Sequence, residues 1–591
     1  MKSFFKYVLA TIVGTLIVGI IFFFISMGII SAFVSIATKE KVIQIKDNSV
    51  LYLTLDKPIL DRKPVLPLFN FNLPSLKPQP IIGLTELINN IDKAKEDPKI
   101  EGIYLELTNL AAGVATVDEI RNALLDFKES GKFVICYSNL YTQSTYYLGS
   151  VADEVYLNPE GMIYMKGLNM QIEFFKGTFE KLGIEPEVFR HGEFKSAVEP
   201  LIDKKMSDAN RIQIKSFMGS IWQYVVANIA KQRHVSTERI NLLADRLELW
   251  NPKTGISEKL IDSLVYRDQV YDVLKEKTGL SEKKKPNLVD LSDYSKVPKE
   301  KAQKGLVKEK IAVIYAQGDI VSGDGDQNEI GADRFVNAIS DARKDSDVKA
   351  IVLRVNSPGG YSLAAELIWR EIELARQVKP VIASMGDLAA SGGYYILCPA
   401  DTIVASPVTL TGSIGVFGVW WDAGEFFNKK LGITSDVEKT NTYSDFGSVF
   451  RPFTSYEKLI VQKSVDRTYR TFVNHVSEGR RMTYNSVDKI GEGRVWSGIN
   501  GIEIGLVDVF GGLKDAIRIA AEKANLEVYR IVELPKQEEP FELLIRELTG
   551  EMRINSIREE LGNDFKYYEL LKKAEKIQGI QARLPFSFEL R

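Results

Sequence analysis

Residues 348–355 read VKAIVLRV, an apolar run in which Lys349 and Arg354 are the only charged residues. Residues 100–107 read IEGIYLEL, and the two runs begin 248 positions apart. Short apolar runs of this kind are typical of strands buried on both faces of a parallel sheet. The pair therefore predicts a similar sheet in each half of the chain.

The repetition continues on both sides of these runs. TYYLGSVADEVYLNP from Thr145 matches GYYILCPADTIVASP from Gly393, and FEKLGIEPEVFRHGEFKS from Phe179 matches FNKKLGITSDVEKTNTYS from Phe427. A period this long indicates a duplicated domain and not a solenoid. Between the strands, stretches such as LAAELIWREIELARQV have helical apolar spacing. Each copy therefore follows a βαβα order, which predicts the α/β class with largely parallel sheets.

The amino terminus predicts a membrane anchor. Lys2 and Lys6 are followed by no charged residue from 7 to 38, which is longer than the apolar core of a cleaved signal peptide. As a helix this run exceeds the roughly 30 Å hydrocarbon core of a bilayer. We expect one uncleaved transmembrane helix, with the basic end in the cytoplasm and the rest of the chain outside it.

The remaining chain divides into three parts. Proline-rich residues 58–80 are expected to form an extended arm, since six prolines exclude helix and interior strand. The last part is expected to form a strand and charged helices for packing or assembly. The predicted boundaries are 1–40 for the anchor, 41–305 and 306–525 for the two copies, and 526–591 for the last part.

Composition excludes some functions. The formal net charge of −2 gives no reason to expect a nucleic-acid partner. Cys136 and Cys398 lie in or beside apolar runs without the spacing of a metal site, so both are expected to be core thiols.

Three turns of the second copy carry candidate chemistry. VLRVNSPGGYS contains Gly359 and Gly360 between a strand and a helix, where free backbone N–H groups can hold a developing oxyanion. GDLAASGGYYILC places Ser391 before Gly392 at the next such turn, and LTGSIGV adds Ser413. Adjacent parallel strands bring these turns to one edge of the sheet. Ser391 is the candidate nucleophile, with Gly359, Gly360 and Gly392 as donors.

Together these motifs resemble the signal peptide peptidase A family, in its long, duplicated Gram-negative form. The resemblance implies two Clp protease/crotonase-like domains, a serine endopeptidase that degrades cleaved signal peptides and similar apolar peptides, and a homotetramer. It also implies a single-pass protein of the bacterial inner membrane, with its catalytic region on the periplasmic side and no cofactor or metal.

The proton acceptor is the remaining question. His234 and His475 lie in charged, helix-like segments, and His191 precedes the stretch FKSAVEP. The resemblance assigns the general base to Lys195 in that stretch. A lysine can accept a proton only when neutral, which burial favours. Ser413 is expected to orient the amine.

The two copies differ at these positions. Gln143 stands opposite Ser391, TNLAAG stands opposite NSPGG, and Ser444 stands opposite Lys195. A complete site therefore needs the lysine of one copy and the serine of the other, from the same or a neighbouring chain.

Other functions stay open at this stage. A crotonase-like fold can bind acyl-CoA, a membrane-tethered chain can act as a silent scaffold, and a peptidase can trim membrane-protein tails instead of signal peptides.

Overall fold

The computed structural model describes residues 44–64, 81–281, 283–298, 307–537 and 579–584, with parts of 4–25. Most of the predicted anchor, much of the proline-rich arm and most of the predicted last part lie outside the described residues. Among the residues that are described, no helix combines the length and the apolar character needed to cross a membrane.

The first repeat contains one parallel sheet of six strands. The strands of this repeat, in chain order, are β1 (Ser49–Leu53), β2 (Ile59–Leu60), β3 (Ile82–Gly83), β4 (Ile100–Glu106), β5 (Phe133–Ser138), β6 (Tyr141–Thr142), β7 (Glu154–Leu157), β8 (Ile163–Tyr164), β9 (Glu185–His191), β10 (Ser263–Leu264) and β11 (Asn287–Asp290). The sheet has the order β10-β7-β5-β4-β1-β11, with all neighbours parallel.

The second repeat contains the corresponding sheet. Its strands, with the last strand of the chain, are β12 (Lys310–Gln317), β13 (Asp319–Val321), β14 (Glu329–Gly331), β15 (Val348–Ser357), β16 (Gly359–Tyr361), β17 (Val381–Ala390), β18 (Thr402–Ala405), β19 (Leu410–Gly412), β20 (Val416–Asp422), β21 (Val495–Ser497), β22 (Val509–Phe510), β23 (Arg530–Leu534) and β24 (Gly579–Arg583). The order β22-β18-β17-β15-β12-β23 repeats the order of the first sheet. The predicted duplication is therefore visible in the topology.

Helices cover these sheets. They are α1 (Leu84–Glu96), α2 (Val114–Lys128), α3 (Gln143–Gly149), α4 (Lys176–Leu182), α5 (Glu199–Ile202), α6 (Asp208–Arg233), α7 (Thr237–Asp245), α8 (Pro252–Ser257), α9 (Arg267–Lys277), α10 (Leu291–Tyr294), α11 (Ala332–Lys344), α12 (Ser362–Arg376), α13 (Gly392–Leu397), α14 (Ser455–Arg480), α15 (Tyr484–Ile490), α16 (Gly498–Glu503) and α17 (Leu513–Lys523). Short 3₁₀ turns lie at Ser196–Val198 and Glu248–Trp250, and a π-turn at Phe426–Lys430. The apolar face of α11 buries Phe335, Ile339 and Ala342, at the spacing of successive helical turns.

Strand β23 extends the second repeat past its predicted boundary. Its five residues, 530–534, pair in parallel with β12. The sheet of the second repeat therefore continues beyond residue 525, where the sequence placed a separate packing segment.

Buried polar contacts join the two repeats. The guanidinium of Arg354 on β15 is fully buried, 2.7 Å from Asp61 and 2.6 Å from Glu119 of the first repeat. The carboxylate of Asp387 on β17 accepts hydrogen bonds from the backbone N–H of Thr116 at 2.9 Å and from its hydroxyl at 2.6 Å. These contacts hold helix α2 of the first repeat over the strands that lead to the site.

A third sheet contains strands from both repeats. Its order is β14-β13-β16-β24-β20-β9, and β9 of the first repeat pairs antiparallel with β20 of the second. The pairing runs over seven residues, from Glu185 opposite Asp422 to His191 opposite Val416. It brings the chain that follows β9 to the edge where β15 and β17 end.

Candidate active site

Ser391 lies between a strand and a helix, as predicted. Strand β17 ends at Ala390 and α13 begins at Gly392. The backbone of Ser391 has φ 54° and ψ −118°, a conformation that non-glycine residues rarely adopt and that costs on the order of 1–3 kcal/mol. The turn is held at both ends, since Ser391 N donates to Gly412 O at 2.8 Å and Tyr395 N donates to Ser391 O at 2.8 Å. The strained turn fixes the direction of the hydroxyl.

Lys195 reaches Ser391 from the other repeat. It follows β9, and its Nζ lies 2.8 Å from Ser391 Oγ, 2.9 Å from Ser413 Oγ and 3.2 Å from Ser413 O. All three residues are fully buried. The structure therefore places the serine of the second repeat and the lysine of the first within hydrogen-bonding distance in one chain.

The surroundings of Lys195 favour its neutral form. Burial lowers the pKa of its amine well below the ordinary value of 10.5. A neutral amine has two N–H donors and one lone pair. Ser413 offers two acceptors, its hydroxyl and its carbonyl oxygen, and the lone pair is then left for the hydroxyl proton of Ser391.

Glycine turns of the second repeat enclose the lysine stem. Gly493 has φ +81°, and a Cβ placed on it would lie 2.6 Å from N, Cα and Cβ of Lys195. A Cβ on Gly415 would lie 3.1 Å from Lys195 Cδ. The side-chain amide of Gln213 donates to Phe194 O at 3.1 Å and accepts from Val495 N at 3.1 Å, which ties the lysine segment to the same turn.

The three glycines predicted as oxyanion donors differ in the hydrogen bonds of their N–H groups. Gly359 has φ +95°, and its N–H donates to Ser357 Oγ at 3.1 Å. Gly392 is the first residue of α13, so its N–H has no partner within its own helix. A Cβ on Gly392 would lie 3.1 Å from Gly360 N, which shows how closely these two turns approach each other. The turns that carry Gly360 and Gly392 thus lie against each other, and Gly359 N–H already has a partner within its own turn.

Two of the three histidines have carboxylate partners, and the third is exposed. His191 Nδ1 lies 2.8 Å from Asp466 Oδ1, and its ring stacks on Tyr469. His475 Nε2 lies 3.0 Å from Glu366 Oε2. His234 is exposed at the carboxyl end of α6.

Both cysteines are free and buried. Burial raises the pKa of Cys136 to about 12, so its thiol stays protonated.

In the first repeat, Gln143 occupies the position that corresponds to Ser391. The side-chain carbonyl of Gln143 accepts from Lys166 N at 2.9 Å and from Gly167 N at 2.8 Å. The counterpart of the lysine, Ser444, lies on an exposed turn. In the first repeat, Gln143 thus ties the turn to the neighbouring backbone and offers no hydroxyl group.

Sequence reasoning missed three contributors to the site. Gly493 and Gln213 do not belong to any of the sequence motifs identified above. Their contacts with the Lys195 segment arise from pairing between the repeats. Strand β24 comes from the segment assigned to packing, yet it lies beside Gly359 and Gly360.

A buried serine beside a lysine, on a duplicated α/β fold, can carry out the acyl transfer of a serine peptidase. The comparisons with known proteins identify the family of the chain. The model of peptidase family S49 matches residues 126–281 and 373–527, once in each repeat. The chain belongs to this family.

Several curated proteins are similar to most of the chain. The chloroplastic serine protease SPPA of Arabidopsis thaliana is 34% identical over 546 residues, which cover 92% of this chain and 78% of that protein. Protease 4 of Haemophilus influenzae is 34% identical, covering 75% of this chain and 73% of its own length. Protease 4 of Salmonella typhi is 35% identical, covering 80% and 77%.

A solved structure of a ClpP1 mutant from Listeria monocytogenes is 15% identical, covers 35% of this chain and 94% of that one, and gives a TM-score of 0.24. The score is too low to support an argument, so the finer Clp protease/crotonase-like assignment stays a prediction.

Proposed function

We propose that the chain is a membrane-anchored serine endopeptidase in which Ser391 is the nucleophile and Lys195 the general base. The observation that supports this most directly is the 2.8 Å distance between Lys195 Nζ and Ser391 Oγ, in surroundings that favour a neutral amine. No other titratable side chain is needed to accept the proton.

The proposed reaction begins with attack of Ser391 Oγ on a peptide carbonyl carbon while Lys195 takes the hydroxyl proton. The negative charge that develops on the carbonyl oxygen is stabilised by the N–H groups of Gly360 and Gly392. Protonated Lys195 then gives its proton to the leaving amine. Water, deprotonated by the same amine, cleaves the acyl ester and restores the serine.

The strongest test compares Ser391→Ala and Lys195→Ala in the full chain. Each is expected to reduce hydrolysis of an apolar peptide ester by about 10³-fold or more. A matched control is Lys379→Ala, because burial also lowers the pKa of Lys379 but its amine contacts carbonyl groups away from Ser391.

Labelling by a serine-directed fluorophosphonate is the second measurement. The label is expected on the parent chain and the Lys379→Ala control, and it should be lost in Ser391→Ala. Wild-type turnover in folded Lys195→Ala would show that another group accepts the proton.

The proposed substrates are apolar peptides, in particular signal peptides already released into the membrane. Support comes from the predicted anchor, which would hold the site near such peptides, and from the resemblance of the motifs. The proposed location is the bacterial inner membrane with the catalytic region on the periplasmic side. Carbonate extraction tests the anchor: the full chain should stay with the membrane, and its release would contradict the proposal.

We also propose a homotetramer. Residues 434–440, the counterpart of β9 in the second repeat, are exposed and have no regular structure. Residues 168–174, the counterpart of β20, alternate between half-buried and exposed, like an edge strand. Pairing these segments between copies would repeat the β9–β20 contact head to tail around a ring. Light scattering should then give four times the chain mass of 66.4 kDa; a monomer in detergent would contradict this.

A further inference from the structure

Two helices begin at the two glycine turns of the site. Helix α12 begins two residues after Gly360, and helix α13 begins directly after Ser391. The turns lie against each other at these amino ends, because a Cβ on Gly392 would lie 3.1 Å from Gly360 N. The distance between the nucleophile turn and the oxyanion turn therefore depends on how the two helices are held together.

One carboxylate links the two helices about one turn from these ends. Glu366 on α12 accepts a hydrogen bond at Oε2 from the hydroxyl of Tyr395 on α13. Tyr395 is buried, and its backbone N–H donates to Ser391 O at 2.8 Å. The amide and the hydroxyl of one residue thus connect the backbone of the nucleophile to the helix of the oxyanion turn.

Helix α14 holds this carboxylate from another side. Burial alone would raise the pKa of Glu366, but hydrogen bonds from His475 and Tyr395 outweigh it and lower this pKa below the ordinary 4.5. His475 Nε2 lies 3.0 Å from the same oxygen, and since an ionised carboxylate only accepts, this nitrogen carries the proton. The imidazole ring also stacks on Trp369, one turn further along α12, with the ring centroids 3.4 Å apart. The direction of the Glu366 side chain is therefore fixed by two donors.

We infer that Glu366 and Tyr395 are positioning residues, whose hydrogen bond holds the nucleophile turn and the oxyanion turn at the spacing that acyl transfer needs. The inference rests on the proposed function, because it takes Ser391 as the nucleophile and Gly360 and Gly392 as the donors. In this role both side chains act through the backbone of the turns. Without the bond α13 can shift against α12, and a shift of about 1 Å lowers turnover by up to about 10²-fold.

The test compares two neighbouring tyrosines in the full chain. Tyr395→Phe removes the hydroxyl that reaches Glu366. The matched control is Tyr394→Phe, because Tyr394 is also buried on α13 but its hydroxyl donates to Leu506 O at 3.0 Å, in the segment after α16. Both variants should lose similar thermal stability. With an apolar peptide ester, Tyr395→Phe is expected to lower kcat by about tenfold or more without raising KM, and Tyr394→Phe should leave both unchanged.

Variants of Glu366 separate hydrogen bonding from the loss of a side chain. Glu366→Gln keeps an oxygen that can accept from the Tyr395 hydroxyl and should keep kcat within about threefold of the parent, whereas Glu366→Leu should lower kcat as Tyr395→Phe does. The double variant Glu366→Leu/Tyr395→Phe should be no slower than the slower single variant, because both changes remove one contact. Labelling by a serine-directed fluorophosphonate should slow in parallel with kcat.

Two results would overturn the inference. One is the parent kcat in folded Tyr395→Phe and Glu366→Leu chains, and the other is an equal loss of kcat in Tyr394→Phe and Tyr395→Phe. Either would show that the contact contributes only to stability. Failure of the proposed function appears elsewhere, as hydrolysis at the parent rate by Ser391→Ala, and that result would overturn the inference along with it. An error confined to the base would appear as turnover in Lys195→Ala and would leave the tyrosine comparison valid.

Discussion

Gly493→Ala tests whether the position of Lys195 controls catalysis. Gly493 lies 298 positions after the lysine and belongs to none of the motifs identified in the sequence. An added Cβ would lie 2.6 Å from three atoms of Lys195, two of them backbone atoms that cannot rotate away. The substitution therefore changes the site without removing any functional group.

The magnitude follows from two separate effects. A left-handed φ of +81° costs an alanine about 1 kcal/mol. The second effect is displacement, because carbon atoms in contact are normally about 3.6 Å apart and Lys195 must move by about 1 Å. Its amine would then lie beyond hydrogen-bonding distance of Ser391 Oγ, now at 2.8 Å. A misplacement of this size lowers turnover by about 10²-fold.

The control is Gly131→Ala, which separates strain from displacement. Gly131 also has φ +81°, but nothing lies within 4 Å of an added Cβ. Thermal unfolding should show a similar loss of stability from backbone strain in both variants, with any further loss in Gly493→Ala assigned to the contact. The kcat/KM for a peptide ester should fall only in Gly493→Ala. Wild-type kcat/KM in a folded Gly493→Ala chain would refute the claim that this turn positions the base.

Other variants test separate parts of the structure. Ser413→Ala removes a 2.9 Å contact to the amine of Lys195 and should lower kcat/KM about tenfold. Ser448→Ala, in an irregular loop, is the control and should leave kcat/KM unchanged. An unchanged kcat/KM in Ser413→Ala would show that Ser413 does not orient the base. Lys195→Met should flatten the rise of urea-unfolding free energy with pH. The reason is that the lysine of the unfolded chain, with a pKa near 10.5, binds a proton that Lys195 of the native chain lacks. The free energy of unfolding therefore rises with pH between the lowered pKa and 10.5, by up to about 1.4 kcal/mol per pH unit. An unchanged slope in Lys195→Met would contradict a neutral Lys195. Arg354→Met leaves two buried carboxylates without their cation and should lower the free energy of unfolding by about 3–5 kcal/mol. Arg518→Met, which removes an exposed ion pair with Glu522, should cost at most about 1 kcal/mol, and equal losses would show that burial does not matter here.

The parts of the fold that could be predicted are those encoded locally. Apolar runs such as 348–355 give their strands because burial on both faces requires continuous apolar side chains. The position of Ser391 between strand and helix follows from the alanines before it and the glycines after it. The duplication could be predicted because corresponding residues stand at a nearly constant separation.

The missing parts depend on pairing between distant segments. EPEVFRH gives β9 without clear alternation, and its partner lies more than 200 positions later. The choice of Lys195 therefore came from the resemblance and could not come from periodicity. The same holds for β24, because GIQARL contains nothing that predicts two antiparallel neighbours. Only the assembled third sheet shows that the segment assigned to packing reaches the glycine turn.

The asymmetry of the two repeats has a physical reason. A buried lysine without an ion-pair partner destabilises the native chain, because its neutral form must be maintained against an ordinary pKa of 10.5. This loss of stability is offset by a function only where the neutral amine can deprotonate a neighbouring serine. The first repeat has Gln143 in place of that serine, and its amide oxygen satisfies two backbone N–H groups at the same turn. Because Gln143 occupies that turn, a lysine in place of Ser444 would have no serine to deprotonate there within this chain. In the proposed mechanism, the described part of the chain therefore forms one site, with the base from the first repeat and the nucleophile from the second.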